Sequence, residues 1–377
     1  MLTARQFDLL VDPILELYER YQQTVINDIA RRLARLGKVT AASAWQMQRV
    51  TESGAIYDDI LAKLASLSGQ SEAALRAAFE KAGVQALRFD DAIYKAAGLD
   101  PIPLNLSPAM VRVLRVALER TQGLFQNLTR TTAVSGQQAF ERAADLIFIQ
   151  VTSGGFDYQS ALRSGIKQVA SEGLTVIQFA GRRDQLDVAL RRTVLTGIGQ
   201  ATGELQWARA DEMGVDLVQT TAHAGARNKG TGPANHESWQ GKVFSRSGTS
   251  ADYPDFVSVT GYGTGEGLGG WNCRHSFYPF FPGISENAYS QAVRDDLADR
   301  TVTYRGRQMD MYAATQQQRH IERQIRRYKR QAAALEAAGL DSAPEMAKVR
   351  AWQAEMRAFV RQTGLPRQSF REQVYHK

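Results

Sequence analysis

The sequence predicts a mainly α-helical protein that contains one small α+β domain, at about residues 215–283. Apolar residues recur at helical spacing through most of residues 1–213 and again after residue 283. Between these regions the pattern changes: eleven glycines fall between Gly225 and Gly270, and short β-branched runs replace the helical periodicity. We therefore expect an elongated helical N-terminal region, a compact strand-and-loop domain and a basic helical C-terminal region.

The N-terminal half is predicted to form successive helices. Pro13 suits the first turn of a helix that runs to about Leu36, and Ser68-Gly69 is expected to end the second helix. Pro101 and Pro103 forbid helix in the linker that contains them. Further helices are expected at about residues 71–97, 107–130, 137–152, 157–172 and 184–213.

Strands are expected in the central domain. β-branched, partly alternating runs predict strands at residues 215–221, 242–245 and 256–260. The segment 271–279, WNCRHSFYP, alternates large and small groups like a strand with one aromatic face. We expect this segment to pair with residues 239–244.

The chain after the central domain is predicted to be helical. Helices are expected at about residues 286–299, 307–338 and 344–362, and residues 366–377 are expected to form a loose basic tail. The domains predicted along the whole chain are residues 1–98, 104–213, 214–283 and 284–377.

Composition excludes several classes of protein. No apolar run approaches the length that a membrane-spanning helix needs, and the N-terminus lacks the apolar stretch of a signal peptide. One cysteine excludes an internal disulfide and suits a reducing compartment. We expect a protein that is made in a cytoplasm and has no membrane partner.

Positive charge is concentrated near the C-terminus. The net charge is +7, and residues 301–377 carry 15 Lys/Arg against 7 Asp/Glu. Arg323, Arg326, Arg327 and Arg330 are spaced i, i+3, i+4 and i+7, so one helix face is expected to present them together. This face is a candidate for contact with nucleic acid, and a solvated arginine-rich surface is the alternative.

The central domain holds the residues that attract a chemical interpretation. His223, His236, Cys273 and His275 are residue types that zinc accepts, but no paired local spacing fixes their geometry. A cysteine nucleophile at Cys273 with His236 as its base is a second alternative. We expect neither a metal nor another cofactor, and we expect His236 to hydrogen-bond to the backbone of a neighbouring loop.

Two further patterns are interpreted as coincidental. The run GEGLGG at residues 265–270 matches G-x-G-x-x-G, but it lacks the preceding strand and following helix of a dinucleotide site. Gly241-Lys242 lacks the Ser/Thr of a phosphate-binding loop. Arg274 is expected to act as a fixed hydrogen-bond donor rather than as a general base.

The motif HESWQGKVF, a glycine-rich spacer and GGWNCRHSFYPFFPGISE resembles the phage minor capsid protein 2 family. It is similar, more distantly, to phage Mu F-like head morphogenesis proteins, in which a cysteine stands at the position of His275. The matching motif positions are His236, Trp239, Gly241, Phe244, Trp271, Cys273, Arg274 and His275.

The resemblance implies a virion protein that is not an enzyme. Such proteins are thought to act at the portal vertex in head assembly, DNA packaging or DNA ejection, so the expected partners are the portal protein, other capsid proteins and packaged DNA. It brings no catalytic role to the motif residues. The alternative function is a cysteine- or zinc-dependent hydrolase or processing enzyme that uses His236 and Cys273.

Overall fold

The structure is a computed structural model that describes residues 1–37, 42–177, 183–228 and 230–374. Most of this chain is helical, and the strands form three small antiparallel sheets. The helices are α1 Ala4–Arg35, α2 Ala42–Ala96, α3 Pro108–Thr152, α4 Tyr158–Glu172, α5 Leu186–Glu212, α6 His236–Trp239, α7 Phe256–Thr260, α8 Gln291–Asp299, α9 Met311–Ala337 and α10 Ala343–Thr363. The strands are β1 Thr175–Ile177, β2 Arg183–Gln185, β3 Leu217–Thr220, β4 Val243–Ser245, β5 Phe277–Pro279, β6 Thr301–Tyr304 and β7 Arg307–Asp310. The predicted fold class is confirmed.

The chain forms two compact units, each built from three separated segments. Unit 1 comprises Met1–Ile14, Glu72–Leu124 and Arg191–Gln316, and unit 2 comprises Leu15–Ser71, Phe125–Leu190 and Gln317–Lys377. The four consecutive domains expected from the sequence stay a prediction.

Unit 1 contains a three-stranded sheet in the order β4-β3-β5. Val218 lies opposite Phe244 on one side and Pro279 on the other. Apolar side chains from the three strands, from α6 and α7 and from the loop after α7 form one buried cluster at this sheet: Val218, Trp239, Phe244, Phe256, Leu268 and Phe277. Trp207 and Tyr262 pack against the same cluster, so one aromatic core fixes the loops that carry the motif.

Unit 2 is almost entirely helical. Trp45 stacks on Phe148 and Tyr18 meets Phe125 edge-on, which joins its helices through aromatic contacts. The β1–β2 hairpin pairs Thr175 with Gln185. None of the helices described in either unit is both long and apolar enough to cross a bilayer.

Several predicted helix boundaries are wrong because packing outweighs local helix-breaking residues. The helix α2 continues through Ser68 and Gly69, and α3 bridges the predicted gap between residues 130 and 137. A glycine inside a helix costs only about 1 kcal/mol, which burial of Leu64 and Leu75 on either side of Gly69 offsets. Pro13 lies inside α1 rather than in its first turn.

Two predicted strands are also corrected. Residues 256–260 form α7 because the Asp255 side chain caps them, accepting a hydrogen bond from Ser258 N at 2.6 Å. Only Phe277–Pro279 of the segment 271–279 is a strand, and it pairs with β3 rather than with residues 239–244. The strands β3 and β4 were predicted correctly.

The C-terminal region differs from its prediction in two places, before α9 and after α10. The helix expected from about residue 307 begins only at Met311, because residues 307–310 form the second strand of the β6–β7 hairpin. Arg305 and Gly306 take positive φ and form the turn of this hairpin. The helix α10 closely matches its predicted bounds. The predicted loose tail instead forms a 3₁₀ helix at Ser369–Glu372, in which the buried Glu372 accepts a hydrogen bond from Arg367 at 2.7 Å. Residues 375–377 of that tail lie outside the described residues.

Candidate functional site

Three side chains of the motif converge in unit 1, and we call them the histidine–cysteine cluster: His236, Cys273 and His275. His236 begins α6, whereas Cys273 and His275 precede β5, next to a turn made by Asn272 at φ 56°. The Cys273 Sγ lies 3.9 Å from His236 Nδ1 and 3.6 Å from His275 Nδ1. All three side chains are buried, and their ligand atoms lie within 4.8 Å of one another.

Hydrogen bonds on the far side of each ring determine the tautomers of the two histidines. His236 Nε2 lies 2.8 Å from the Glu266 carbonyl oxygen, which can only accept a hydrogen bond. His275 Nε2 lies 3.1 Å from Gln240 Oε1, which also accepts the backbone N–H of His223 at 3.0 Å. Both Nε2 atoms therefore carry the proton, and both Nδ1 atoms present a lone pair to Cys273. The predicted backbone hydrogen bond of His236 is confirmed.

Burial keeps the cluster uncharged in the absence of a ligand. It lowers the pKa of His236 to about 4 and the pKa of His275 well below its ordinary value. Burial also raises the pKa of the Cys273 thiol, although the N–H of His275, which donates to Sγ at 3.4 Å, opposes this shift. A raised thiol pKa is the opposite of what a cysteine nucleophile needs.

His223 lies beside the histidine–cysteine cluster but is not one of its three converging groups. Its ring stacks on His275 with the centroids 4.4 Å apart, and its Nδ1 lies 3.1 Å from the Ala224 carbonyl oxygen. Its Nε2 is buried and has no hydrogen-bond partner among the described residues. Of the four candidate zinc ligands noted in the sequence, three thus converge and His223 is only their neighbour.

The two motif tryptophans have different environments. Trp239 is fully buried, contacts the rings of His236 and His275, and donates its Nε1–H to the Pro233 carbonyl at 3.0 Å. Trp271 is 54% exposed. Trp239 therefore belongs to the wall of the histidine–cysteine cluster and Trp271 to the surface.

Three glycines of the motif region permit close packing. A Cβ on Gly241 would lie 2.7 Å from the Tyr289 side chain, and Gly241 has φ +70°. A Cβ on Gly267 or Gly270 would lie 2.2 Å or 2.4 Å from a backbone carbonyl oxygen. Glycine is required at these positions for steric reasons, which accounts for the glycine-rich run without a bound nucleotide.

Arginine and backbone groups support the histidine–cysteine cluster from outside. Arg227 donates to the carbonyl oxygens of Glu266 and Trp271 at 3.2 and 3.1 Å, and thus ties the segment before α6 to the loop that carries Cys273 and His275. Arg274 donates to Asp8 Oδ1 at 3.1 Å. Sequence reasoning missed Asp8 because 265 residues separate it from Arg274 and no local pattern connects them. Sequence reasoning also missed Gln240, although it lies inside the motif and its spacing from His236 could have marked it as a partner of the cluster.

The four arginines predicted to share a basic face on α9 have two different environments in unit 2. Arg326 lies 2.9 Å from Asp187 and 3.9 Å from Glu19, and the buried Arg330 donates to the Ala170 carbonyl at 3.2 Å. We call Glu19, Asp187, Arg326 and Arg330 the arginine–carboxylate cluster. Arg323 and Arg327 are exposed. The expectation that all four arginines are presented together is wrong, because Arg326 and Arg330 face the largely shielded acids Glu19 and Asp187.

Charge compensation is visible in the pKa values of the arginine–carboxylate cluster. Burial opposes ionisation of Asp187, but Arg326 and Arg330 outweigh it and hold the pKa below its ordinary value. Burial and the nearby Asp187 raise the pKa of Glu19. Pairing therefore favours the charged forms of Asp187 and Arg326, whereas burial outweighs it at Glu19 and at Arg330, whose pKa is lowered.

These features describe a mainly helical protein whose conspicuous motif is built around a small three-stranded sheet in unit 1. The chain belongs to the phage minor capsid protein 2 family, whose model matches residues 2–361. It is also similar to a structural protein of Lactococcus phage LL-H, with 24% identity over 391 aligned positions. That alignment covers 100% of this chain and 97% of the relative. No solved structure is significantly similar to the chain.

Proposed function

We propose that this phage minor capsid protein acts at or near the portal vertex of the virion, in head assembly, DNA packaging or DNA ejection. The observation that carries the proposal is the family match over nearly the whole chain, which includes both units and the motif. The portal protein and other capsid proteins are its proposed partners. The protein has a structural rather than an enzymatic role in this proposal.

The environment of Cys273 supports a structural role for the motif. The thiol is 3% exposed and burial raises its pKa, whereas a nucleophile needs access and a lowered pKa. Trp239 and Phe244 are fully buried in the aromatic core of unit 1. Their burial supports a structural role in which the motif holds the surrounding loops together.

The location is tested in the phage that encodes the protein. Virions are purified on a density gradient and their proteins are quantified by mass spectrometry, with the major capsid protein as the internal standard. The proposal expects this chain in the particle at a few copies for each head. A chain that stays in the infected-cell lysate and is absent from the particles would reject the proposal.

Nonspecific contact with packaged DNA is a second part of the proposed function. Arg323 and Arg327 are exposed on α9, and Arg350, Arg357 and Arg361 are exposed on α10 at i, i+7 and i+11. Arg327 and Lys348 both lie over the Tyr328 ring, which brings the basic residues of these two helices together. Clustered cations of this kind bind phosphate without sequence preference and with strong salt dependence.

Charge removal tests the DNA contact. Replacing Arg323 and Arg327 by Gln should weaken binding to a nonspecific duplex and lower the slope of log affinity against log salt by about 2. The matched control is Arg112→Gln with Arg115→Gln, which removes two exposed charges from α3. Equal weakening by both double variants, or binding by the wild type that is insensitive to salt, would contradict a contact through α9.

A further inference from the structure

We propose that the Nδ1 atoms of His236 and His275 and the Sγ of Cys273 bind a single zinc ion. The ion would join the start of α6 to the segment that precedes β5. The proposal rests on the geometry of three buried groups and does not depend on where the protein acts in the virion.

A count of donors and acceptors shows what the histidine–cysteine cluster lacks. Both Nδ1 atoms are acceptors, because the Nε2–H of each ring already donates to Glu266 O or to Gln240 Oε1. The Cys273 thiol has one hydrogen and can satisfy only one of these two acceptors. One buried nitrogen lone pair is therefore left without a donor. A cation bound by a thiolate and two imidazoles satisfies all three groups together.

The distances within the histidine–cysteine cluster fit a tetrahedral ion. Zinc binds sulfur at about 2.3 Å and imidazole nitrogen at about 2.0–2.1 Å, which places sulfur and nitrogen about 3.6 Å apart in a tetrahedral site. The observed Sγ to Nδ1 distances are 3.6 Å and 3.9 Å. The two sulfur–nitrogen pairs thus need shifts of only a few tenths of an ångström. The ligand atoms as a group lie within 4.8 Å of one another, and the two ring nitrogens must come to about 3.4 Å from each other around a tetrahedral ion.

The surroundings provide the features that zinc ligands usually have. Each histidine donates its second ring nitrogen to an oxygen, which fixes the tautomer and the orientation of the ring. The backbone N–H of His275 donates to the Cys273 sulfur at 3.4 Å, and this hydrogen bond favours a thiolate. The three protein ligands leave a fourth coordination position for water.

The ligand types select the metal. Imidazole nitrogen and thiolate sulfur suit zinc and other late transition metals, whereas calcium and magnesium require oxygen ligands. Among the described residues, no carboxylate belongs to this group of converging ligand atoms. The chemistry therefore favours zinc, with cobalt(II) as a spectroscopic substitute.

Metal binding is measured on the purified full-length chain. The protein is stripped with a chelator, and Zn²⁺ uptake is then determined by elemental analysis and by competition with a metal indicator. We expect one Zn²⁺ for each chain. Replacing Zn²⁺ by Co²⁺ should produce a sulfur-to-cobalt charge-transfer absorption and the visible bands of a tetrahedral ion.

The variants His236→Gln and Cys273→Ser should each weaken Zn²⁺ binding by at least about tenfold, and Cys273→Ser should abolish the charge-transfer absorption. His320→Gln is the matched control, because it removes an exposed histidine of α9 and should leave uptake unchanged. Failure of the wild-type chain to take up Zn²⁺, or Co²⁺ binding without the sulfur absorption, would overturn the proposal. This wild-type measurement holds even if a variant fails to fold.

Discussion

The histidine–cysteine cluster of unit 1 is buried and the arginine–carboxylate cluster of unit 2 is largely shielded from solvent, but their polar groups are satisfied differently. In unit 2 opposite charges face each other, and Arg326 lies 2.9 Å from Asp187. In unit 1 burial keeps two imidazoles and a thiol neutral, with two lone pairs directed at one sulfur. The first arrangement is complete within the protein, whereas the second requires a ligand to be complete.

This difference shows that residue type and spacing do not determine whether a polar group is structural or available to a ligand. Arg326 and Arg330 were candidates for contact with DNA, and the fold uses them to neutralise acids. His236, Cys273 and His275 were expected to be structural motif positions, and the fold brings their ligand atoms together. In each case the deciding partner comes from a distant part of the sequence.

Removal of one charge partner should have the largest effect. Arg326→Met leaves the mostly shielded Asp187 without its nearest cation but still near Arg330, so the free energy of unfolding should fall by about 3–4 kcal/mol, toward the lower end of the loss for breaking a buried ion pair. Chemical denaturation measures this change, and hydrogen exchange should locate it in α9. The control is Arg327→Met on the exposed face, which should change stability by no more than about 0.5 kcal/mol. Equal effects of the two variants would show that Arg326 is not a structural residue.

The two motif tryptophans should differ in how much they stabilise unit 1, because Trp239 packs against the histidine–cysteine cluster and Trp271 lies on the surface. Trp239→Phe leaves the Pro233 carbonyl without its donor and opens a small cavity, so it should cost about 2–3 kcal/mol. Trp271→Phe, at a side chain that is 54% exposed, should cost no more than about 0.5 kcal/mol. Thermal and urea denaturation of both variants compare these costs, and a larger loss at Trp271 would reverse their assignment.

The smallest effect is expected at the residue that orients His275. Gln240→Met removes the acceptor of two N–H groups, from His223 and from the His275 ring, and should cost about 1–2 kcal/mol. Gln308→Met, at an exposed glutamine of β7, is the control. Ring-nitrogen NMR of the metal-free wild type should show both His236 and His275 protonated at Nε2. A proton at Nδ1 of either ring would contradict the lone-pair arrangement.

Local periodicity predicted the mainly helical class and the strands β3 and β4, because these features depend on residues close in sequence. It failed at Gly69, where burial on both sides carries α2 through a residue that usually ends a helix. It also failed at residues 256–260, where the Asp255 cap outweighs the β-branched pattern. Short elements are decided by caps and tertiary contacts more than by propensity.

The site could be predicted only in part for the same reason. The motif identified His236, Cys273 and His275 as candidates, and the hydrogen bond of His236 to a neighbouring loop was anticipated. The convergence of these three side chains depends on the loop containing Gly267 and Gly270, whose close backbone contacts have no signature in local periodicity. The pairing of Arg326 with Asp187, and that of Arg274 with Asp8, likewise arise only when distant segments pack.

The most direct measurement of the central claim is an asymmetric electron cryomicroscopy reconstruction of the purified virion, focused on the unique vertex. The account predicts density at or near the portal that fits the three-stranded sheet of unit 1 and the helices of unit 2, each placed independently. A complete portal-vertex map without such density, or the same density repeated over the icosahedral shell, would contradict a minor capsid role at the portal.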